Sequence, residues 1–167
     1  KVTGEILGLN YWKQYGVDVR GLRFPGLISW KAPAGGGTTD YAVDIFRAAV
    51  EYGHYECFVS EDTRLPMMYM NDAIRATESI LQADLESLGD SRAGYNIKGI
   101  SFTAGELVDK IAERIPEFTC DFIPDFRQKV ADSWPNDVDD KPARDDWGWK
   151  ADYDLGRMVD EMISNIS

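Results

Sequence analysis

The feature of this sequence that most restricts its fold is a strand that ends at a proline and a glycine. The segment Arg23 to Trp30 reads Arg-Phe-Pro-Gly-Leu-Ile-Ser-Trp and is largely apolar, as a strand needs. Pro25 has no N–H to donate to a neighbouring strand, and Gly26 can adopt a positive φ or let another group approach the backbone closely. We therefore expect regular strand pairing to end at Pro25 and Gly26, where the main chain can face a ligand.

Three consecutive glycines, residues 35–37, follow this strand and lead into two threonines and a periodic segment, residues 41–50. The periodicity predicts a helix, and Thr38 or Thr39 is suited to cap it. The free N–H groups at such a helix start can bind a small carboxylate. The same pattern is also typical of an ordinary surface loop that ends in an N-cap. The residues alone leave both interpretations open.

The rest of the chain alternates helical and extended patterns. Residues 1–15 predict a helix that Gly16 ends, and residues 17–24 predict a strand. Further strands are predicted at 55–59, 65–70, 94–97 and 118–123, and further helices after Asn71 or Asp72, from Thr103 to about Ile115, near 139–146 and at 154–166. The helix after Asn71 or Asp72 should bury Ile74, Ile80 and Leu81. Residues 125–134 should be irregular or form a single helical turn. This order predicts a mixed α/β fold in which long loops surround a site.

Size and charge exclude several classes of protein. With 167 residues, 44% of them hydrophobic, the chain can bury a real core, and its length fits one domain or a large piece of one. The formal net charge of −11 argues against nucleic acid or an anionic membrane as a partner. No apolar run approaches the roughly 20 residues that a membrane span requires.

Cysteine and histidine are too scarce for a disulfide framework or a zinc site. The chain has two cysteines, Cys57 and Cys120, far apart in the sequence, and one histidine, His54. We expect two buried free thiols, as in the reducing cytoplasm, and no bound metal.

Several stretches together resemble the extended short-chain dehydrogenase/reductase family, which includes NAD-dependent epimerases and dehydratases. The similarity is greatest to its NAD-dependent L-threonine 3-dehydrogenase branch. The stretches that carry it are residues 15–20, 23–29, 35–42, 66–70, 124–128, 132–135 and 143–149.

The resemblance implies that the sequence corresponds to the C-terminal half of such an enzyme. Residues 1–30 and about 53–84 would supply the last strands and helices of the NAD-binding, Rossmann-type parallel sheet. Residues about 31–52 and 85–167 would form a small α/β substrate-binding region. The family's glycine-rich fingerprint, active-site Ser/Thr and Tyr would all lie before Lys1, which matches the lysine of the family's Tyr-x-x-x-Lys motif.

The activity implied by the resemblance is oxidation of L-threonine to 2-amino-3-ketobutyrate, with hydride transfer to NAD. Lys1 would be a catalytic residue that lowers the pKa of the tyrosine four positions earlier, and it would also hydrogen-bond the nicotinamide ribose. The segment Pro25, Gly26, Leu27 and Ile28 would lie against the nicotinamide.

The resemblance also implies a substrate site and an assembly. Thr38 and Thr39 would hold the threonine carboxylate, Gly37 would give that group room, and the indole of Trp134 would close over the substrate. Family members are commonly homodimers that use the Lys1 helix. Residues 1–167 alone are expected to be inactive.

Two other functions are compatible with the residues. One is a nucleotide-sugar epimerase or dehydratase of the same family, although such an enzyme needs a large site with basic side chains for a diphosphate. The other is a non-catalytic module that binds a small molecule or contacts another subunit.

Overall fold

The computed structural model describes residues 1–166 and has the predicted mixed α/β fold. Its helices and strands follow one another in the order α1 (Val2–Tyr15), β1 (Leu22–Arg23), β2 (Gly26–Ile28), α2 (Tyr41–Tyr52), β3 (His54–Cys57), β4 (Arg64–Tyr69), α3 (Met70–Gln82), β5 (Tyr95–Asn96), β6 (Ile100–Thr103), α4 (Ala104–Ala112), β7 (Thr119–Phe122), α5 (Phe126–Ala131), α6 (Lys141–Trp147) and α7 (Leu155–Ile166). Two short 3-10 helices, Leu85–Ser87 and Asp90–Ala93, lie between α3 and β5. None of the described helices is long and apolar enough to cross a membrane.

The strands form three small, mostly parallel sheets. The largest has the order β2-β4-β6, with β2 parallel and β6 antiparallel to β4. The other two are the parallel pairs β1-β5 and β3-β7. In the described part of the chain β2 is therefore an edge strand.

The segment around Pro25 differs from the prediction in an informative way. The predicted strand over 17–24 is regular only at Leu22–Arg23, where it pairs with β5. Pairing does stop at Pro25, but it resumes at Gly26 with a different partner, β4. The chain thus passes from one sheet to another at this proline, because Pro25 can end one ladder without preventing the next.

Two apolar clusters hold these elements together. The larger cluster joins α2, β4, α4 and α7, with fully buried side chains that include Tyr41, Phe46, Leu65 and Leu107. The smaller one joins α3, β5 and the segment after α6, through Ile80, Tyr95 and Trp149 among others. The end of the glycine-rich loop before α2 packs on edge strand β2, beside the larger cluster.

Local rules predicted some helix ends correctly. Gly16 ends α1 with a φ of 67°, a conformation that glycine adopts readily. Thr103 and Glu106 form a complete capping box at the start of α4.

Helix α3 was predicted less well. It begins at Met70 rather than after Asn71 or Asp72, and Ile74 and Leu81 are 51% and 65% exposed. Asp72 is instead buried inside the helix, where its carboxylate accepts hydrogen bonds from the N–H groups of Asp152 and Tyr153. The buried face of α3 therefore includes a polar contact with a residue 80 positions away, which the spacing of its apolar residues does not reveal.

Candidate active site

A cleft of about 430 Å³ lies where the proline-glycine segment meets the stretch from Trp134 to Val138, an arm that follows α5. Its walls come from four separate stretches of sequence. The residues that line it are Phe24, Pro25, Gly26, Leu27, Thr39, Pro66, Trp134, Pro135 and Val138.

The first wall is the junction between β1 and β2. Phe24 and Leu27 are 41% and 37% exposed, which is high for large apolar side chains in a strand region. Because β2 is an edge strand here, its outer backbone groups are not used by a neighbouring strand. The junction therefore presents apolar side chains and main-chain groups together.

Gly26 fits tightly against the second wall. A Cβ on this residue would lie 2.5 Å from Met67 Sδ and 2.8 Å from Thr39 Cγ2. Its φ is not positive. The missing side chain of Gly26 thus leaves room for Thr39 to pack on β2, which locks the first and second walls together.

The second wall is the glycine loop before α2, and Asp40 fixes its shape. One carboxylate oxygen of Asp40 accepts hydrogen bonds from the N–H groups of Gly35 and Gly37, both at 2.7 Å. The prediction that Thr38 or Thr39 caps the helix is wrong, because Asp40 occupies the N-cap position. Its side chain turns back to the glycine amides and leaves the first turn of α2 without a side-chain cap.

The third wall is the arm from Trp134 to Val138. Residues 125–134 were predicted to be irregular or to form a single helical turn, and they contain the short helix α5, Phe126–Ala131, which is longer than one turn. Just beyond it, Trp134 N–H donates to Ala131 O at 3.0 Å. Farther along the arm, Lys98 Nζ contacts Asp137 at 2.5 Å. That ammonium, with help from the Val138 N–H, holds the pKa of Asp137 below its usual range. The arm is therefore held at Trp134 by the end of α5 and at Asp137 by Lys98.

The fold brings together most, but not all, of the predicted site residues. Pro25, Gly26, Leu27, Thr39 and Trp134 all line the cleft. Ile28 is buried behind it, and Gly37 and Thr38 lie in the adjoining loop without lining it. Lys1 is exposed at the start of α1 and does not line the cleft.

Four lining residues were not predicted as site residues: Phe24, Pro66, Pro135 and Val138. Pro66 offered a signal, because proline inside a strand is unusual. It lies in the middle strand of its sheet, opposite Ser101. Val138 gave no such signal, because only the tertiary fold places it here.

The cleft is mostly apolar. Thr39 supplies its hydroxyl, and no Lys, Arg, His, Asp or Glu is among the described lining residues. Within residues 1–166, no group of three or more His, Cys, Asp or Glu side chains is arranged to hold a metal ion. Such a surface can cover a flat ring or a small aliphatic group, and any proton transfer there requires a group from outside this lining.

In sequence and in fold, the chain matches the C-terminal part of GalE-like enzymes of the short-chain dehydrogenase/reductase type. Within that class the proteins it matches include L-threonine 3-dehydrogenases, as the sequence resemblance predicted. The mitochondrial L-threonine 3-dehydrogenase of Bos taurus is 48% identical over 165 residues, which are 98% of this chain and 44% of that protein.

Two further matches point to the same class. The apo GalE-like L-threonine dehydrogenase of Cupriavidus necator superposes with a TM-score of 0.95 at 52% identity, over 99% of this chain and 59% of that one. An uncharacterised epimerase/dehydratase of Staphylococcus aureus is 45% identical over 99% of this chain and 52% of its own length. The chain thus spans about half the length of the relatives it matches. No protein-family model matches it.

Proposed function

We propose that this chain supplies the substrate-binding half of an NAD-dependent L-threonine 3-dehydrogenase. One observation carries the proposal: the cleft joins Pro25, Gly26, Leu27, Thr39 and Trp134, which the family resemblance had assigned separately to cofactor and substrate. Similarity to threonine dehydrogenases over nearly the whole chain supports it. The reaction would oxidise the β-hydroxyl of L-threonine and yield 2-amino-3-ketobutyrate.

The first wall fits a nicotinamide. Phe24 and Leu27 offer exposed apolar surface, and edge strand β2 offers main-chain groups beside it. We assign Pro25, Gly26 and Leu27 to contact with the ring and its amide, with Ile28 packed behind them. NAD, when bound, supplies the hydride acceptor. Lys1 would hydrogen-bond the ribose and favour the phenolate form of the family's catalytic tyrosine.

The second and third walls fit a small amino acid. The Thr39 hydroxyl can donate to a carboxylate, and we assign the Thr38 hydroxyl to the same group. Gly37, whose N–H donates to Asp40, would give that group room. Trp134 would cover the methyl group and attract the ammonium with its ring face. Excluding water in this way strengthens each of these polar contacts.

The remaining assignments follow from the same proposal. Residues 1–30 and about 53–84 would complete the NAD-binding domain, and residues about 31–52 and 85–167 would form the substrate-binding region. We further propose a homodimer in the cytoplasm, whereas the bovine relative is named as a mitochondrial protein.

Threonine-dependent NADH formation by the protein in its full natural length tests the proposal. Thr39→Val keeps the methyl group that packs on Gly26 but removes the hydroxyl, so it should raise the KM for threonine by about tenfold or more. Thr39→Ser keeps the hydroxyl and is the matched control, with a smaller effect expected. Equal KM values for the Thr39→Val variant and the wild-type enzyme would contradict the assignment.

The same assay separates the competing functions. A nucleotide-sugar that competes with threonine, or is converted in its place, would favour an epimerase or dehydratase. The absence of a basic side chain among the described lining residues argues against a bound diphosphate in this cleft. Residues 1–167 alone should form no NADH, and measurable turnover by them would contradict the expected division of roles between the two halves.

A further inference from the structure

Two cysteines that are distant in sequence lie side by side on neighbouring strands. In the parallel pair β3-β7, Tyr55 lies opposite Cys120 and Cys57 lies opposite Phe122. Because side chains alternate along a strand, Cys57 shares a face with Tyr55 and therefore with Cys120. Both thiols are free, and their side chains are close enough to hydrogen-bond.

The two thiols have complementary surroundings. Contact with the Cys120 side chain, together with the Val59 N–H and the charge of Arg127, lowers the pKa of Cys57 despite its burial. The same contact, together with partial burial, raises the pKa of Cys120. Cys57 is 1% exposed, whereas Cys120 is partly open to solvent. Deprotonation is thus easier at Cys57 than at Cys120.

The cysteine pair is connected to the glycine loop through α2 and α5. Tyr41, the first residue of α2, packs edge-on against Phe58. Burial and the charge of Cys57 raise the pKa of Tyr41. The Tyr41 hydroxyl is buried and has no hydrogen-bond partner among the described residues. Arg127 Cζ lies 3.2 Å from the centroid of the Phe58 ring, and Arg127 interacts electrostatically with Asp40. Asp40 in turn holds the amides of Gly35 and Gly37.

We propose that Cys57 and Cys120 form a redox-active dithiol, which hydroperoxides oxidise reversibly to a disulfide, and that oxidation loosens the glycine loop. The Cys57 thiolate attacks one peroxide oxygen, the O–O bond breaks, and a sulfenic acid and hydroxide result. Cys120 then attacks the sulfenic sulfur, so that the S–S bond forms, the S–O bond breaks and water leaves. Two thiols are oxidised, and the peroxide is reduced to water and its companion alcohol or second water.

Strand geometry explains why the loop should respond. Diagonal positions on neighbouring strands place the two Cα atoms about 8 Å apart, whereas a disulfide requires less than about 7 Å. Closing the bond must therefore pull β3 and β7 together by about 1 Å. Phe58 and Tyr41 pack against this point, so the start of α2 must shift with it. This site is independent of the dehydrogenase proposal, since it requires neither threonine nor NAD.

Hydrogen peroxide treatment of the natural-length protein, followed by thiol alkylation and non-reducing peptide mapping, tests the dithiol. We expect a Cys57–Cys120 cross-linked peptide, a loss of two hydrogen masses and full reversal by dithiothreitol. Hydrogen exchange of the peptide covering residues 35–40 should rise several-fold on oxidation and return on reduction. Cross-links only between molecules, or irreversible acids on Cys57 alone, would overturn the proposal.

Matched variants separate chemistry from packing. Cys120→Ser keeps a small polar side chain at the partly exposed position, and it should stop oxidation at a sulfenic acid on Cys57 that dimedone traps. Its loop exchange should then be insensitive to peroxide. Wild-type protein that forms the cross-link without any change in the exchange of residues 35–40 would refute the link to the loop. The peroxide treatment of wild-type protein needs no variant. The proposal can therefore be refuted even if a variant such as Cys57→Ala does not fold.

Discussion

Gly26→Ala should destabilise the protein and disturb the cleft at once. The added Cβ would lie 2.5 Å from Met67 Sδ, 2.8 Å from Thr39 Cγ2 and 3.1 Å from Thr39 Cβ. Favourable contacts between such atoms begin near 3.5 Å, so both neighbours must move by up to about 1 Å. Met67 is fully buried and cannot simply swing into solvent.

Overpacking of this kind costs about 1–3 kcal/mol in well-packed cores, and about 2 kcal/mol is expected for Gly26→Ala. In a protein of this size, that change lowers the Tm by about 4–8 °C. Urea unfolding followed by far-UV circular dichroism measures the free energy, and a thermal scan measures the Tm. Because Thr39 is one of the two displaced groups, the KM for threonine should also rise.

Gly4→Ala is the matched control, since nothing lies within 4 Å of a Cβ added there. It is expected to be neutral, or to stabilise α1 by about 0.5–1 kcal/mol. The reasoning is refuted if Gly26→Ala unfolds within about 0.5 kcal/mol of wild type, below the smallest overpacking cost, and keeps its threonine KM.

Asp40→Ala should expose the amides of Gly35 and Gly37 to hydrogen exchange and this segment to proteolysis, because both amides lose their acceptor. Asp40→Asn retains an acceptor and should protect them, so equal protection in both variants would disprove the role of this side chain. Asp72→Ala leaves the Asp152 and Tyr153 N–H groups without their acceptor and should lower the free energy of unfolding by about 3 kcal/mol. A decrease of less than about 1 kcal/mol would argue against a stabilising role for these hydrogen bonds. The Thr103 N–H and the Arg64 guanidinium hold the pKa of Glu106 below 4.5, so its stabilisation is present above that pH and is lost as the pH falls through the folded-state pKa. The stability difference between wild type and Glu106→Gln should accordingly shrink on acidification, and a difference that does not vary with pH in urea titrations would exclude this origin.

Patterns that depend on neighbouring residues predicted much of the fold. The bounds of α1 and α7, the glycine that ends α1 and the capping box of α4 all follow from side chains within one or two helical turns. The prediction that the amphipathic helix α2 begins at Tyr41 was also correct. These features need no knowledge of distant residues.

Features that depend on distant partners were predicted incompletely. Thr38 and Thr39 are adequate caps, but the loop geometry gives that position to Asp40. The apolar spacing of Ile74 and Leu81 suggested burial, yet both are exposed, and the buried face of the helix includes the polar contact of Asp72 with Tyr153. Likewise, the strand before Pro25 could not reveal that two different strands, β5 and β4, pair on either side of that residue.

The residues of the cleft likewise divide into those that the local sequence singles out and those that only distant contacts place there. Pro25, Gly26 and Thr39 stand out because proline, glycine and a hydroxyl occur at chain turns near a helix start. Val138 is ordinary in its local sequence and reaches the cleft only through the tertiary fold, in which Lys98 contacts the neighbouring Asp137.

The cleft draws its walls from residues 24–27, 39, 66 and 134–138, so its construction requires contacts across more than a hundred positions of the chain. Forming such contacts requires closing long loops, which costs conformational entropy and makes folding slow. A fragment that lacks either end of this span cannot make the cleft, however well its helices form. The fluorescence of Trp134 should therefore change with the final assembly of the whole fold, and the capacity to bind a ligand here should arise only at that step.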